Sequence, residues 1–150
     1  MRTALAGAAA LVLLAAGCGG GDGNDFREQA DAICADYQER IDAVEVPSSL
    51  QELAGSAAEV AGLIEDGTAE LAELEPPDDL EDAYGDWIGL NEQGAARLRE
   101  ISAAAEQDDQ ARVQELAGLA DRNEREADAR AEELGLEDCA ADEGDEVTDR

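Results

Sequence analysis

Residues 50–74, LQELAGSAAEVAGLIEDGTAELAEL, carry the most regular hydrophobic pattern in the chain and decide the fold class. Apolar or small residues recur at alternating steps of three and four, which places them on one face of an α-helix. The pattern continues over several heptads, so it predicts that this helix packs closely along a neighbouring helix. The positions are Leu50, Leu53, Ala57, Val60, Ile64, Gly67, Leu71 and Leu74.

The ends of this second helix are marked by capping and breaking residues. Ser48 or Ser49 can cap its start, with Gln51 or Glu52 three residues further on to complete a capping box. Pro76-Pro77 breaks the chain after it. Gly67 lowers helix propensity by about 1 kcal/mol relative to alanine. We interpret Gly67 as a point where two helices approach closely, with a ligand recess as the alternative.

A first helix is predicted upstream, starting near Asn24 or Asp25 and ending at Val46-Pro47. Asp25 and Glu28 form a pair typical of a capping box. Cys34 borders its apolar face. That face carries Phe26, Ala30, Ile33, Tyr37, Ile41 and Val44.

A third helix is predicted after the proline pair, with Asp78 and Glu81 at its start. Tyr84 and Trp87 are expected to be core aromatic residues with one polar edge, rather than platforms for a ligand. Gly94 predicts another close contact between helices. The inner face carries Leu80, Ala83, Tyr84, Trp87, Ile88, Leu98 and Ile101.

A fourth helix is predicted after a short turn in which Asp108 or Asp109 supplies the cap. Gly135 follows its last leucine, and Leu136 occupies the position of the apolar contact in a Schellman cap. Asn123 lies on the inner face, where a single polar residue can fix the register of packed helices. The remaining inner positions are Val113, Leu116, Ala120, Ala127, Ala131 and Leu134.

The chain shows no strand pattern between Asp25 and Leu136, so we predict an all-α domain. Four amphipathic segments with short connections favour an up-down-up-down four-helix bundle over residues 25–139. Residues 18–24 are rich in glycine and predict a flexible tether. Residues 140–150 are acidic and lack periodicity, which predicts a disordered tail.

The start of the chain has the composition of a targeting signal. Arg2 precedes an uncharged stretch, Ala4 to Ala16, that is shorter than the about 20 residues of a transmembrane helix. Its end, Ala15-Ala16-Gly17-Cys18, resembles a bacterial lipobox. One departure is that Ala15 occupies the position, three before the cysteine, where an aliphatic residue is usual, and Leu14 lies one place earlier. The resemblance implies a signal peptide of residues 1–17 and a diacylated Cys18 at the mature N-terminus. The alternative is an ordinary secretory signal cut after Gly17.

The three cysteines favour acylation of Cys18. In an oxidising compartment Cys34 and Cys139 can pair, and acylation accounts for the third. An up-down-up-down bundle makes the pair geometrically reasonable, because residues after Leu136 can run back along the first helix. Two acyl chains on one residue give stable anchoring. We therefore expect a protein anchored to the cell membrane on its extracytoplasmic face.

The charge of the chain argues against anionic binding partners. It contains 39 acidic and 10 basic residues, a formal net charge of −29, with no histidine. This field opposes binding to nucleic acid and to anionic lipid headgroups. We favour solubility as the reason for the acidity, with cation binding as the alternative.

The residue types also argue against catalysis, and we expect neither an enzyme nor a cofactor. Without histidine there is no Ser-His-Asp or Cys-His site, and without lysine there is no Schiff-base chemistry. Carboxylates are the main metal-binding side chains of the chain, so any bound metal would be a hard cation such as calcium or magnesium. The densest group of acidic residues lacks the spacing of an EF-hand loop. The favourable interaction of acidic residues with the positive end of a helix dipole is a better explanation for the group. It comprises Asp78, Asp79, Asp82 and Asp86.

As a whole, the chain resembles the small, uncharacterised helical lipoproteins of high-GC Gram-positive bacteria. The resemblance rests on the lipobox, Cys34, the Leu74-Glu75-Pro76-Pro77 break and Leu134-Gly135-Leu136 before Cys139. It implies no activity and no functional residue beyond Cys18. Our first hypothesis is a membrane-anchored, non-enzymatic binding or envelope-scaffold module that recognises a protein partner. The alternative is a cell-surface binder of divalent cations or small ligands with low affinity.

Overall fold

The computed structural model describes residues 22–140. The predicted signal peptide, Cys18 and residues 141–150 of the predicted tail lie outside this range. Within it the chain forms α-helices and no strand, which confirms the all-α prediction. The helices are α1 (Asp22–Asp42), α2 (Leu50–Leu71), α3 (Glu81–Glu106) and α4 (Gln110–Leu134).

The caps of α2 and α4 agree with the sequence. The Ser49 side chain accepts a hydrogen bond from the Glu52 backbone N–H at the start of α2. Asp109 accepts one from the Arg112 N–H at the start of α4. Gly135 adopts a left-handed conformation at φ 73° and ends α4 in a Schellman motif, with Leu136 fully buried beyond it.

Both predicted boundaries of α1 and the predicted cap of α3 were wrong. α1 begins at Asp22, so residues 22–24 are helical rather than part of the tether. It ends at Asp42, before Val46-Pro47, because its last turn tightens and Val44 N–H bonds to the Ile41 carbonyl. The start of α3 has no side-chain cap, so Asp78 does not serve as one. Instead the Leu80 N–H donates to the Pro77 carbonyl in a turn.

α2 and α3 pack antiparallel, as two buried hydrogen bonds between them demonstrate. The Tyr84 hydroxyl near the start of α3 donates to the Leu71 carbonyl at the end of α2, at 2.8 Å. Near the other end, Ser102 Oγ donates to the Ala54 carbonyl at 2.7 Å. α2 packs on α3, α3 on α4 and α1 on α2. The four-helix arrangement therefore matches the expected topology.

One core cluster, the aromatic core, lies at the end of the bundle where α1 and α3 begin, which we call the aromatic end. The Phe26 and Tyr84 rings meet edge to face with centroids 5.0 Å apart, and Tyr84 contacts Trp87. The predicted core role of these aromatic residues is confirmed, since each is almost fully buried. The cluster comprises Phe26, Ala30, Leu71, Tyr84, Trp87, Ala131, Leu134 and Leu136.

A second cluster, the aliphatic core, lies towards the opposite end of the bundle. Its buried residues belong to α2, α3 and α4, and none of them belongs to α1. α1 is therefore integrated into the core near its start and not near its end. The cluster comprises Ala54, Ala57, Ile101, Ala104, Ala105, Val113 and Leu116.

The buried face of α2 differs partly from the predicted one. Ala54, Ala61 and Thr68 are buried although the sequence pattern did not include them, whereas Leu53 and Ile64 are only half-buried. Small side chains let two helix backbones approach closely, so the alanines occupy the line of contact. The larger aliphatic residues flank that line.

Candidate functional site

The end of the bundle opposite the aromatic end contains an open apolar cleft of about 330 Å³. It exists because the end of α1 does not enter the aliphatic core. Ile41 and Val44 line one side of the cleft, and side chains of the other three helices line the rest. The volume falls near the lower limit of ligand pockets, which run from about 300 to 1,000 Å³.

The walls of the cleft are almost entirely aliphatic. Ile101, Val113 and Ala57 form its buried floor, and Val46 stands at the rim with 92% of its surface exposed. No aromatic side chain lines the cleft. The aliphatic lining consists of Ile41, Val44, Val46, Pro47, Leu53, Ala57, Val60, Leu98, Ile101, Val113 and Ala117.

Only two lining residues have polar side chains, Glu45 and Ser56. Glu45 is exposed in the connection between α1 and α2. The Ser56 hydroxyl donates to the Leu53 carbonyl of its own helix at 3.4 Å. The cleft therefore combines an apolar interior with a single carboxylate.

The connection that forms the rim, residues 43–49, is attached to α2 through a charged hydrogen-bond pair. One Glu52 oxygen accepts from both the backbone N–H of Ser48, at 2.8 Å, and the Ser48 hydroxyl, at 2.7 Å. These two hydrogen bonds lower the pKa of the exposed Glu52 carboxyl. The pair positions the rim segment just before the first turn of α2.

The predicted cysteine pair is present. Cys34 and Cys139 form a disulfide with a Cα–Cα distance of 5.1 Å. The segment after α4 therefore runs back along α1, as expected. The Asp138 N–H also donates to Asp31 at 3.1 Å, and Arg27 Nε donates to the Leu134 carbonyl at 2.8 Å.

The other sequence predictions of sites and segments have different outcomes. Cys18 lies outside the described residues, so its acylation stays a prediction. Ala140, the first residue of the predicted tail, packs against the aromatic core. The cleft was missed, although Ile41 and Val44 were assigned to the inner face of the first helix. Their aliphatic character was visible in the sequence, but their failure to reach the core was not.

The acidic residues form no recognisable metal site in residues 22–140. No group of three or more aspartate, glutamate or cysteine side chains there is arranged to hold a metal ion. Asp78, Asp79, Asp82 and Asp86 are all exposed.

The pKa of Glu124 in α4 is raised above its ordinary value. Partial burial of its carboxyl is the largest cause, followed by the nearby charges of Asp128 and Asp121.

Within residues 22–140, no helix has the length and apolarity that crossing a membrane requires.

Comparison with known proteins gives no family assignment. No protein-family model, curated protein or solved structure matches this chain.

Proposed function

We propose that this protein is a non-enzymatic binding module on the extracytoplasmic face of the cell membrane, anchored through Cys18 and binding through the apolar cleft. The observation that carries the proposal is an open aliphatic cleft at the end of the bundle where α1 does not enter the aliphatic core. Exposed apolar surface of this kind is usual at binding sites and costly elsewhere.

The position of the cleft supports the proposal. α1 has 21 residues, so its two ends lie about 30 Å apart. The chain leaves α1 towards Cys18 at the aromatic end, whereas the cleft lies beside the other end of the same helix. A lipid anchor at Cys18 would therefore present the cleft away from the bilayer. The strongly negative charge of the chain would also repel anionic headgroups.

Photo-crosslinking in intact cells tests binding at the cleft. A photoreactive amino acid at position 46 places the probe at the exposed rim, and the same amino acid at position 129 places it on the exposed surface of α4. We expect a reproducible adduct from position 46 and none from position 129. Equal adducts from both positions, or none from position 46, would argue against the cleft as a binding site.

Membrane anchoring is tested separately. We expect the protein to fractionate with membranes and to carry diacylglycerol on Cys18 by mass spectrometry. Cys18→Ala should abolish acylation and release the protein from the membrane fraction. An unacylated wild-type protein in the culture medium would exclude the anchor. The crosslinking test of the cleft would not be affected by that outcome.

A further inference from the structure

The lining of the cleft determines which ligand shapes it can accept. Aliphatic side chains from the four helices and from the connection between α1 and α2 surround it, whereas Phe26, Tyr84 and Trp87 belong to the aromatic core at the opposite end. A planar ring would find no stacking partner here. A flexible hydrocarbon chain, by contrast, gains from burial in proportion to the area removed from water, at about 25 cal/mol per Å².

The charge at the cleft determines which polar head such a chain can carry. Glu45 is the one titratable residue in the lining, and it is exposed. No arginine lines the cleft, so an anionic head would find no partner and would be repelled by Glu45. The overall charge of −29 acts in the same direction.

We infer that the cleft binds a single aliphatic chain with a cationic head, the chain lying between α1 and the aliphatic core and the head meeting Glu45. This inference rests on the proposed function and specifies the chemical class of its ligand. The ligand is small enough for one cleft of about 330 Å³, so we expect one molecule per protein.

Calorimetric titration of the oxidised full-length chain carrying Cys18→Ser tests the inference, because that variant has no acyl chains of its own to occupy the cleft. The probes are dodecyltrimethylammonium, dodecyl sulfate and tetramethylammonium, each below its micellar concentration and at physiological salt. This salt limits long-range attraction to about 8 Å. We expect saturable 1:1 binding of dodecyltrimethylammonium, several-fold weaker binding of dodecyl sulfate and no saturable heat from tetramethylammonium.

Substitutions that fill the cleft, compared with a matched control, assign the binding to it. Ala117→Phe fills it and should weaken dodecyltrimethylammonium binding about tenfold or more. Ala58→Phe is the matched control, since Ala58 is also half-buried but does not line the cleft. It should leave the affinity unchanged. Ser56→Phe is a second filling variant in case Ala117→Phe fails to fold by circular dichroism.

Glu45→Gln tests the charge preference. It should weaken dodecyltrimethylammonium binding by about two- to fivefold, the scale of an exposed ion pair, and should not weaken dodecyl sulfate binding. Equal binding of the two amphiphiles to the unsubstituted cleft would overturn the cationic head. Unchanged binding after both filling substitutions would overturn the site.

A second copy of the chain is the competing occupant. Sedimentation that shows a concentration-dependent dimer, lost in Ala117→Phe, would identify it and overturn the ligand assignment. If the titrations fail while position 46 still gives a specific adduct in cells, only the ligand class is wrong. If both fail, the proposed function fails as well.

Discussion

The Tyr37 ring of α1 lies directly over Gly67 of α2, and a Cβ atom at position 67 would stand 2.9 Å from Tyr37 Cγ. The sequence interpretation of Gly67 as a close helix approach is therefore confirmed. The same holds for Gly94, where a Cβ would meet Asn123 Oδ1 at 3.0 Å. Each glycine admits a larger residue of a neighbouring helix.

Gly67→Ala should destabilise the protein, because the ring of Tyr37 must move to admit the methyl group. We expect a loss of about 1 to 3 kcal/mol, the usual cost of overpacking. Gly62→Ala is the matched control in the same helix, since nothing lies within 4 Å of its Cβ position. It should stabilise by about 1 kcal/mol through helix propensity. Urea unfolding followed by circular dichroism measures both, and a stabilised Gly67→Ala would refute the contact.

Removing the disulfide should lower stability considerably. Cys34 and Cys139 are separated by 105 residues, and a loop of that length corresponds to about 4 to 5 kcal/mol in the chain-entropy description. We expect Cys34→Ala/Cys139→Ala to unfold at clearly lower temperature than the oxidised protein. Reductant should lower the melting temperature of the parent and leave that of the double variant unchanged. Identical curves for parent and variant would contradict this expectation.

The Tyr84 hydroxyl should resist ionisation. Burial raises the pKa of Tyr84 to about 12, compared with an ordinary value of 10. In a Tyr37→Phe background, absorbance at alkaline pH reports Tyr84 alone, because the chain contains two tyrosines. We expect ionisation only near pH 12 or on unfolding.

The same raised pKa has a consequence for stability. The unfolded chain loses the Tyr84 proton near pH 10 while the folded protein keeps it, so stability should fall as the pH rises above 10. Tyr84→Phe removes the ionisable group and should therefore make the alkaline decline shallower. Unfolding curves at pH 8 to 11 compare the two proteins.

Glu124→Gln should stabilise the protein at neutral pH. The raised pKa of Glu124 means that its charged form is disfavoured in the fold, so its penalty is present above the folded pKa. The penalty disappears as the pH falls below the unfolded pKa. We expect a higher melting temperature at pH 7 and no difference at pH 3. Glu126→Gln, on the same helix and likewise exposed, is the control for loss of one charge.

The sequence predicted the fold well where local physics decides it. The helices, the caps at Ser49, Asp109 and Gly135, and the cysteine pair all follow from short-range patterns or from parity. Helical periodicity survives in the structure because each segment must bury one apolar face.

The sequence failed where packing between distant segments decides. It assigned the end of α1 to the core through Ile41 and Val44, and the structure leaves both beside an open cleft. Periodicity identifies which residues share a face, but it does not tell whether that face reaches its neighbours. The prediction also omitted Ala54 and Ala61 from the buried face of α2, although both are buried in the structure. The reason is the same, since the partner helix determines which of two adjacent faces is buried.

The covalent link between Cys34 and Cys139 also alters what proteolysis can achieve. A protease that cuts at the exposed Val46 separates α1 from the following helices along the chain, yet the two pieces stay joined through sulfur. The cut protein would migrate as two fragments only after reduction. Any group attached to Cys18 would then still be covalently joined to both pieces.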